Sequence, residues 1–569
     1  MSALHVSNQS LRQLGRTLLL GTCLTLAVTA ASAKDAPGLK TSSGDYLAGY
    51  HADQLGNTAD ALGFYGKAAK DPVLAQPGLY KRIYLLALSE GRIPDAIRAL
   101  ETVEKAGGKV PFANLILSIQ AIKNKDYPRA ETLIRTDKGG LSPHLNPPLL
   151  AWVKFAQRDI DGAMKALETL NEQKGMATLF HMYAALILDA NANAPRARKH
   201  FLNLLKGGGL SNRMAKLTGE HFERAKDHPK AREIFNKYAI TDVGLIMRDQ
   251  ATARMKKGTR PELDIQTAQD GVAEALLSIA VAYQAQTSGS QALILSNLAL
   301  YLREDLARAQ MIKADALEIA GNYPLANTVY AGIAKSSPHR WMAQLRTALN
   351  LEQLERDGEA IRLLKDLARE RKDLPSPLGE LGHILRSNER FADAAEAYSD
   401  AIDRSGKTNK RHWILYYNRG VAYEASKQWP KAEKDFLKAL ELNPDQPDVL
   451  NYLSYSWIDQ GLHLKRALKM IEKAVDLRPR DGYIVDSLGW GLYRLGKYDQ
   501  AVRKLERAIM LRPSDPVIND HLGDALWKVG RTREAKFQWE RAKTLGPEEK
   551  LLKIINQKLK SGLADSSQK

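Results

Sequence analysis

The sequence predicts an all-α chain: an α-solenoid of about fourteen helix-turn-helix repeats in two blocks, closed by a C-terminal capping helix. Three observations predict it. Ala432, Ala467, Ala501 and Ala535 recur at spacings of 35, 34 and 34 residues. A proline follows each of them by twelve residues, at Pro444, Pro479, Pro513 and Pro547. A small residue precedes each by about as much, at Gly420, Ser454, Gly489 and Gly523. A fixed period of this length marks a two-helix unit that buries its apolar face only by stacking on copies of itself. The small residue lets the first helix approach the alanine of the second, ridges into grooves. Proline then stops the second helix, because it lacks the amide donor and clashes with the preceding turn.

The alanine can be followed towards the N-terminus. It falls at 394, 360, 326 and 292, and after a break at 231, 197, 163, 130, 96 and 61, which makes fourteen repeats in all. The unit Tyr46 to Pro72 carries Gly49, Ala61, Tyr65 and Ala68 at the expected offsets. The break, from Ala231 to Ala292, exceeds one period by 27 residues and contains Lys257-Gly258-Thr259-Arg260-Pro261, a turn-forming composition. The expected organisation is therefore a divergent N-terminal block over 42–258, a linker over 259–270 and a C-terminal block over 271–547. A wider spacing between Ala394 and Ala432 places a basic connection at Gly406 to Arg411, and Gly207-Gly208-Gly209 is a further loop. Residues 548–560 carry Leu551, Leu552, Ile554, Ile555 and Leu559 on one side, the pattern of a capping helix, and 561–569 reads as a disordered tail.

Residues 1–33 differ from the rest. They contain Arg12 and Arg16, no acid, an apolar run from Leu18 to Ala30 and then Ala31-Ser32-Ala33. This is the pattern of a secretory signal peptide cleaved after Ala33. The thirteen-residue run is shorter than the ~20 residues that span a bilayer. Cys23, the single cysteine, lies inside the run. A lipoprotein reading would acylate it, but Thr22 is a poor residue before the cut and the new N-terminus would be oddly apolar. The mature chain then has no thiol, which excludes disulfides, thiolate metal sites and cysteine nucleophiles. A disulfide-free exported repeat protein points to the bacterial periplasm, with outer-membrane association as a variant.

The formal charge is +18, and loss of the two leader arginines leaves +16. Such a balance suits anionic partners such as a membrane surface or an acidic glycan, or it solvates outer helix faces. No nucleic-acid motif is present. Catalytic signatures are equally wanting. Gly491 to Lys497 imitates a phosphate loop, but Tyr498 stands where Ser or Thr would meet a metal. The histidines show no paired metal spacing. Asp520, His521 and Asp524 read better as helix capping and solvation than as an acid–base site. The chain reads as a non-enzyme that needs no cofactor and no metal.

The stretch from Trp413 to Pro547 resembles the tetratricopeptide repeat, and the resemblance implies which positions of each first helix line the concave face. In the last four repeats they hold Tyr417, Asp448, Asn451, Tyr455, Asp459, Tyr483, Asp486, Trp490, Tyr493, Arg494, Asp520, Asp524, Trp527 and Lys528. Aromatic anchors beside carboxylates and an amide suit a groove for an extended peptide or a partner helix. Tyr455 and Tyr493 stand equally well in the groove or between helices. Trp490 and Trp527 are expected to be exposed, because Leu488, Leu492, Leu522 and Leu526 already supply the inward positions. The groove would be acidic although the molecule is basic, and so would fit a basic or neutral segment.

The segments Val449 to Tyr455, Ile484 to Gly496 and Val517 to Trp527 are similar to those of a group of exported tetratricopeptide proteins of Proteobacteria. The likeness covers roughly 410–545. One type in that group is an outer-membrane lipoprotein that serves as adaptor for a periplasmic carboxyl-terminal processing protease; this chain departs from it at the lipobox. The resemblance implies a periplasmic scaffold with a protein partner, a protease or an envelope assembly component. A cell-wall or polysaccharide export factor acting through a basic outer surface is the alternative.

Overall fold

The computed structural model describes residues 41–137, 139, 142–206, 210–285, 289–406 and 409–563. The expected leader, with Cys23, lies outside these residues, as do the three glycines at 207–209 and the tail from 564. The described residues form 30 α-helices and no strand. None of these helices is long and apolar enough to cross a membrane. Most of the helices pair with their chain neighbour into hairpins, and their contacts divide the described chain into two compact units, Pro37–Leu364 and Lys365–Lys569.

The small-residue beat has the packing role that the sequence assigns to it. Of the fourteen alanines thirteen are 0% exposed, and Ala292 is 1% exposed. Within a hairpin the first helix presents a glycine to a large side chain sixteen residues later. Gly49 meets Tyr65, Gly219 meets Phe235, Gly382 meets Tyr398, Gly420 meets Phe436 and Gly523 meets Trp539. A β-carbon on any of these glycines would come within 2.4–2.8 Å of the ring. The ring fills the space that the missing side chain leaves, and the two axes close up.

In the unit Pro37–Leu364, six hairpins run from Ser42–Gln54 with Thr58–Ala68 to Asn212–Arg224 with His228–Tyr238. The chain then makes the lone helix Asp242–Lys257, which packs on His339–Gln353, Trp341 Nε1 donating to Asp242 at 3.2 Å. The residues that follow are pinned rather than loose. Ile265 is 2% exposed, and Asp264 pairs with Arg213, Lys216 and Arg303. The next hairpin, Ala268–Ala285 with Gly289–Leu302, turns back and lies on the first helices of three earlier hairpins, Pro77–Glu90, Ala113–Lys123 and Ser142–Ala156.

One continuous core therefore runs from Ala52 to Ile312 and includes this hairpin. Val272, Leu276, Leu277, Leu295 and Leu298 are 0–1% exposed, and burying each contributes about 1.5–3 kcal/mol. Trp152 Nε1, Ser296 Oγ and Asn297 Oδ1 are buried there without a hydrogen-bond partner, at about 1–3 kcal/mol apiece. The apolar side chains outnumber the orphans and carry more each, so the hairpin stays seated.

In the unit Lys365–Lys569 the hairpins are more regular. Trp413–Ala425 pairs with Trp429–Leu442, Pro447–Asp459 with Leu464–Leu477, Gly482–Arg494 with Tyr498–Leu511 and Pro516–Lys528 with Thr532–Thr544. Helix Glu549–Ser561 then packs on Thr532–Thr544 as the expected cap.

Candidate partner-binding surface

In the unit Lys365–Lys569 the first helices of successive hairpins touch. Pro447–Asp459 packs on Gly482–Arg494, and that helix on Pro516–Lys528. Residues 34 apart therefore line up on one face. Leu488, Leu492, Leu522 and Leu526 fill the interior at 2–3% exposure, which leaves the aromatic residues nearer the surface. Tyr417, Tyr455, Tyr483, Trp490, Tyr493 and Trp527 are all half-buried.

The rings stack on one another. Trp490 lies between Tyr493, at 4.9 Å and 12°, and His521, at 4.2 Å and 15°. Tyr493 also meets Tyr498 at 5.4 Å. Trp527 leans on Trp539 at 5.3 Å, and its ring also meets Gly562, just beyond the cap helix. Tyr417 sits edge-on to Tyr452 at 5.9 Å, and burial pushes its hydroxyl up to about 12. Burial also raises the Tyr455 and Tyr493 hydroxyls. The Arg512 guanidinium covers the Tyr483 ring at 4.9 Å. The two tryptophans expected to be exposed are thus propped by neighbouring rings, with part of each still facing solvent.

The carboxylates behave differently from the expectation of an acidic groove. Asp459 is exposed and bonds Arg494 Nη1 at 3.2 Å. Asp486, Asp520 and Asp524 are each only 5% exposed. Asp486 faces His521 Nδ1 at 3.0 Å, and Lys558 Nζ donates to both Asp520 and Asp524 at 2.7–2.9 Å. Asp524 also accepts from Trp539 Nε1 at 3.0 Å. Capping and solvation therefore do not describe Asp520, His521 and Asp524, which form a buried ionic cluster roofed by the cap helix. Burial and the neighbouring Asp520 raise the Asp524 carboxyl to about 6, against the pull of Lys558 and His521. Asn451 is 3% exposed, its Oδ1 without a hydrogen-bond partner.

Sequence reasoning missed Lys558 and the burial of His521. Lys558 was findable. It stands 34 residues after Asp524, so the cap helix occupies the register of one more first helix. With Asp486, Asp520 and Asp524 buried and paired, the face offers solvent its aromatic rings, beside the exposed pairs Asp448–Arg478 and Asp459–Arg494.

The corresponding face of the unit Pro37–Leu364 is covered by its own chain. Asn297 Nδ2 donates to the carbonyls of Leu88 and Ser89 at 2.9 and 2.8 Å, near the end of Pro77–Glu90. Gln269 Nε2 does the same for Ile122 and Lys123, at 3.3 and 2.9 Å. Each amide thus serves a helix C-terminus: the Ser89 and Lys123 carbonyls gain a donor, while those of Leu88 and Ile122, which already accept from the Gly91 and Lys125 amides, gain a second. Glu274, 1% exposed, accepts from Arg213 at 2.7 Å. Among the described residues no cluster of three or more potential metal ligands occurs in either unit.

Comparison with known proteins agrees with the repeat architecture. Residues 184–242 and 380–447 match a tetratricopeptide repeat model, and 491–530 match a TPR repeat model. A stretch of 159 residues is 31% identical to a TPR repeat-containing protein of Pseudomonas aeruginosa, covering 28% of this chain and 26% of that protein. Another, of 112 residues, is 30% identical to the BBSome complex member BBS4 of Bos taurus, covering 19% and 20%. The chain thus spans about a quarter or less of these relatives. Among solved structures, a chain of the APC/C hetero-tetramer Cut9–Hcn1 aligns over 92% of this chain and 97% of its own, at 13% identity and a TM-score of 0.40. Yeast Tom70 aligns over 92% and 95%, at 14% identity and a TM-score of 0.34.

Proposed function

We propose that the protein is a non-enzymatic scaffold of the cell envelope that holds a protein partner on the first-helix face of the unit Lys365–Lys569. The observation that carries this reading is the half-buried row Tyr455, Trp490, Tyr493 and Trp527. Rigid rings held by their neighbours offer contact area at small entropic cost, as anchors of a protein interface do. The coverage of the equivalent face in the other unit by Ala268–Leu302 supports placing the partner here. With the acids paired internally, an apolar or neutral segment suits this face better than a strongly basic one.

The resemblance over 410–545 to exported adaptor proteins supports a finer reading. The chain would be exported by its first 33 residues and would deliver substrates to an envelope protease. The alternative, a cell-wall or polysaccharide assembly factor, draws on the +18 charge. Crosslinking a tagged copy in intact cells and identifying what it captures separates the two. Tyr455→Ala with Trp490→Ala should remove a captured protein while helicity is unchanged; capture that survives the double change rejects the face. Capture of anionic polymer alone, lost at high salt, favours the alternative.

A further inference from the structure

The second helices of two neighbouring hairpins, Ala194–Lys206 and His228–Tyr238, are the most one-sidedly charged pair of the unit Pro37–Leu364. The first holds Arg196, Arg198, Lys199 and Lys206 and no acid; the second holds Lys230, Arg232 and Lys237 against Glu233 alone. That is a net +6, a third of the excess of the whole chain. The two helices enclose a groove of about 590 Å³.

The groove is built in register. Lys199 and Lys206 stand seven residues apart with Leu202 and Asn203 between them. Lys230 and Lys237 stand seven apart with Glu233 and Ile234 between them. The half-buried Leu202 and Leu205 form an apolar floor over the buried Ile234, and four lysines flank it. Arg198 takes no part, because it pairs with Asp227 at 2.8 Å and stacks on Phe222. Lys230 bonds Glu233 at 2.7–2.8 Å and Lys206 bonds the uncharged Asn203. Lys237 lies over the Tyr238 ring at 5.6 Å. Only one of the four corner charges is thus matched by a carboxylate within the groove.

We infer that this groove is a second docking surface, and that it takes an acidic amphipathic helix of a protein partner. Seven residues of helix rise about 10.5 Å, so the lysine pairs frame two turns of an occupant lying along the groove. Its apolar stripe would meet Leu202 and Leu205, and flanking Asp or Glu at i and i+7 would meet the corners. A bilayer fits less well, because the apolar floor is recessed between the helices. A glycan has no stripe to offer the leucines. The surface shares no residue with the aromatic row, so this proposal and the preceding one fail separately.

The test uses the full-length protein and a labelled synthetic helix of ~14 residues, with leucines on one stripe flanked by glutamates. A scrambled peptide of the same composition and vesicles of equimolar phosphatidylglycerol and phosphatidylcholine serve as comparisons. At physiological ionic strength the amphipathic peptide should bind, and the scrambled one should bind at least about tenfold more weakly. Lys199→Glu with Lys237→Glu, both exposed, should weaken the amphipathic peptide about tenfold with an unchanged circular dichroism spectrum. Equal binding of the two peptides, or of the variant and the parent, overturns the proposal. So does binding of the vesicles, dependent on these lysines, without binding of the peptide.

Discussion

Gly271 lies flat against the indole of Trp152: a β-carbon on that glycine would stand 1.9 Å from Trp152 Cε2. Trp152 is fully buried and belongs to the helix Ser142–Ala156. The indole packs edge-on against Phe155 at 5.3 Å and has little free space to move into. Gly271→Ala should therefore prise the hairpin Ala268–Leu302 from its seat and cost about 1–3 kcal/mol, as overpacking does. Hydrogen exchange should show residues 268–302 and 142–156 losing protection together. If the hairpin alone loosens, it is a detachable lid and not part of the core.

Lys558 is the cation that makes two buried carboxylates tolerable. Its side chain is 11% exposed and lies between Asp520 and Asp524. Removing one partner of a buried ionic group leaves uncompensated charge, at about 3–5 kcal/mol. Lys558→Ala should therefore lower the melting temperature and fray the cap helix. Replacing Lys553, which is 75% exposed and pairs only with Glu549 four residues away, should change little. Equal effects of the two substitutions would remove the cluster as the reason for the cap.

The turn between the two helices of a hairpin repeatedly places one residue in the left-handed region. Glycine occupies it at Gly56, Gly91, Gly321, Gly496 and Gly530, whereas Lys427 does so at φ 61°. A side chain there costs about 1–2 kcal/mol, partly offset by the greater freedom glycine gives the unfolded chain. Lys427→Gly should stabilise the unit by roughly 0.5–1 kcal/mol in urea unfolding, with the slope unchanged. Loss of stability instead would mean that the lysine side chain has a role of its own.

What was legible in the sequence is whatever repeats. Ala61 to Ala535 could be aligned by eye because one packing problem is solved fourteen times, and all fourteen are buried. The glycine facing a ring sixteen residues later is the same solution seen from the other helix. Lys558 was within reach by counting one period past Asp524. The hairpin over Pro77–Glu90 was not. Asn297 meets Leu88 across 209 residues, and no local periodicity announces a contact that occurs once. For the same reason the sequence pattern identified the aromatic positions of the C-terminal face but left unread that His521 would stack on Trp490.

The buried cluster at the C-terminal end should make that unit sensitive to pH in one direction. Burial alone would lower the His521 pKa, but Asp486, with Asp520 and Asp524 behind it, outweighs burial and raises it above 6.5. Its contribution to stability is complete below 6.5 and is lost as pH rises through the raised value. Asp524, at about 6 against an ordinary 3.8, likewise holds its proton more tightly when folded. Its contribution is complete below 3.8 and is lost as pH rises through about 6. Both shifts act in the same sense, so Pro516–Lys528 and Glu549–Ser561 should be better protected at about pH 5 than at about pH 8. In the other unit Asp264 and Glu274 face Arg213, which holds their carboxyls below the ordinary range. Their contribution is lost only on acidification below 3.8 and 4.5, so they add no slope between those two conditions. Residue-resolved hydrogen exchange, corrected for intrinsic rates, should thus show the slope in residues 516–561 and none from this pair in 264–285. His521→Gln should remove part of it. A C-terminal end better protected at the higher pH would overturn this account of the cluster.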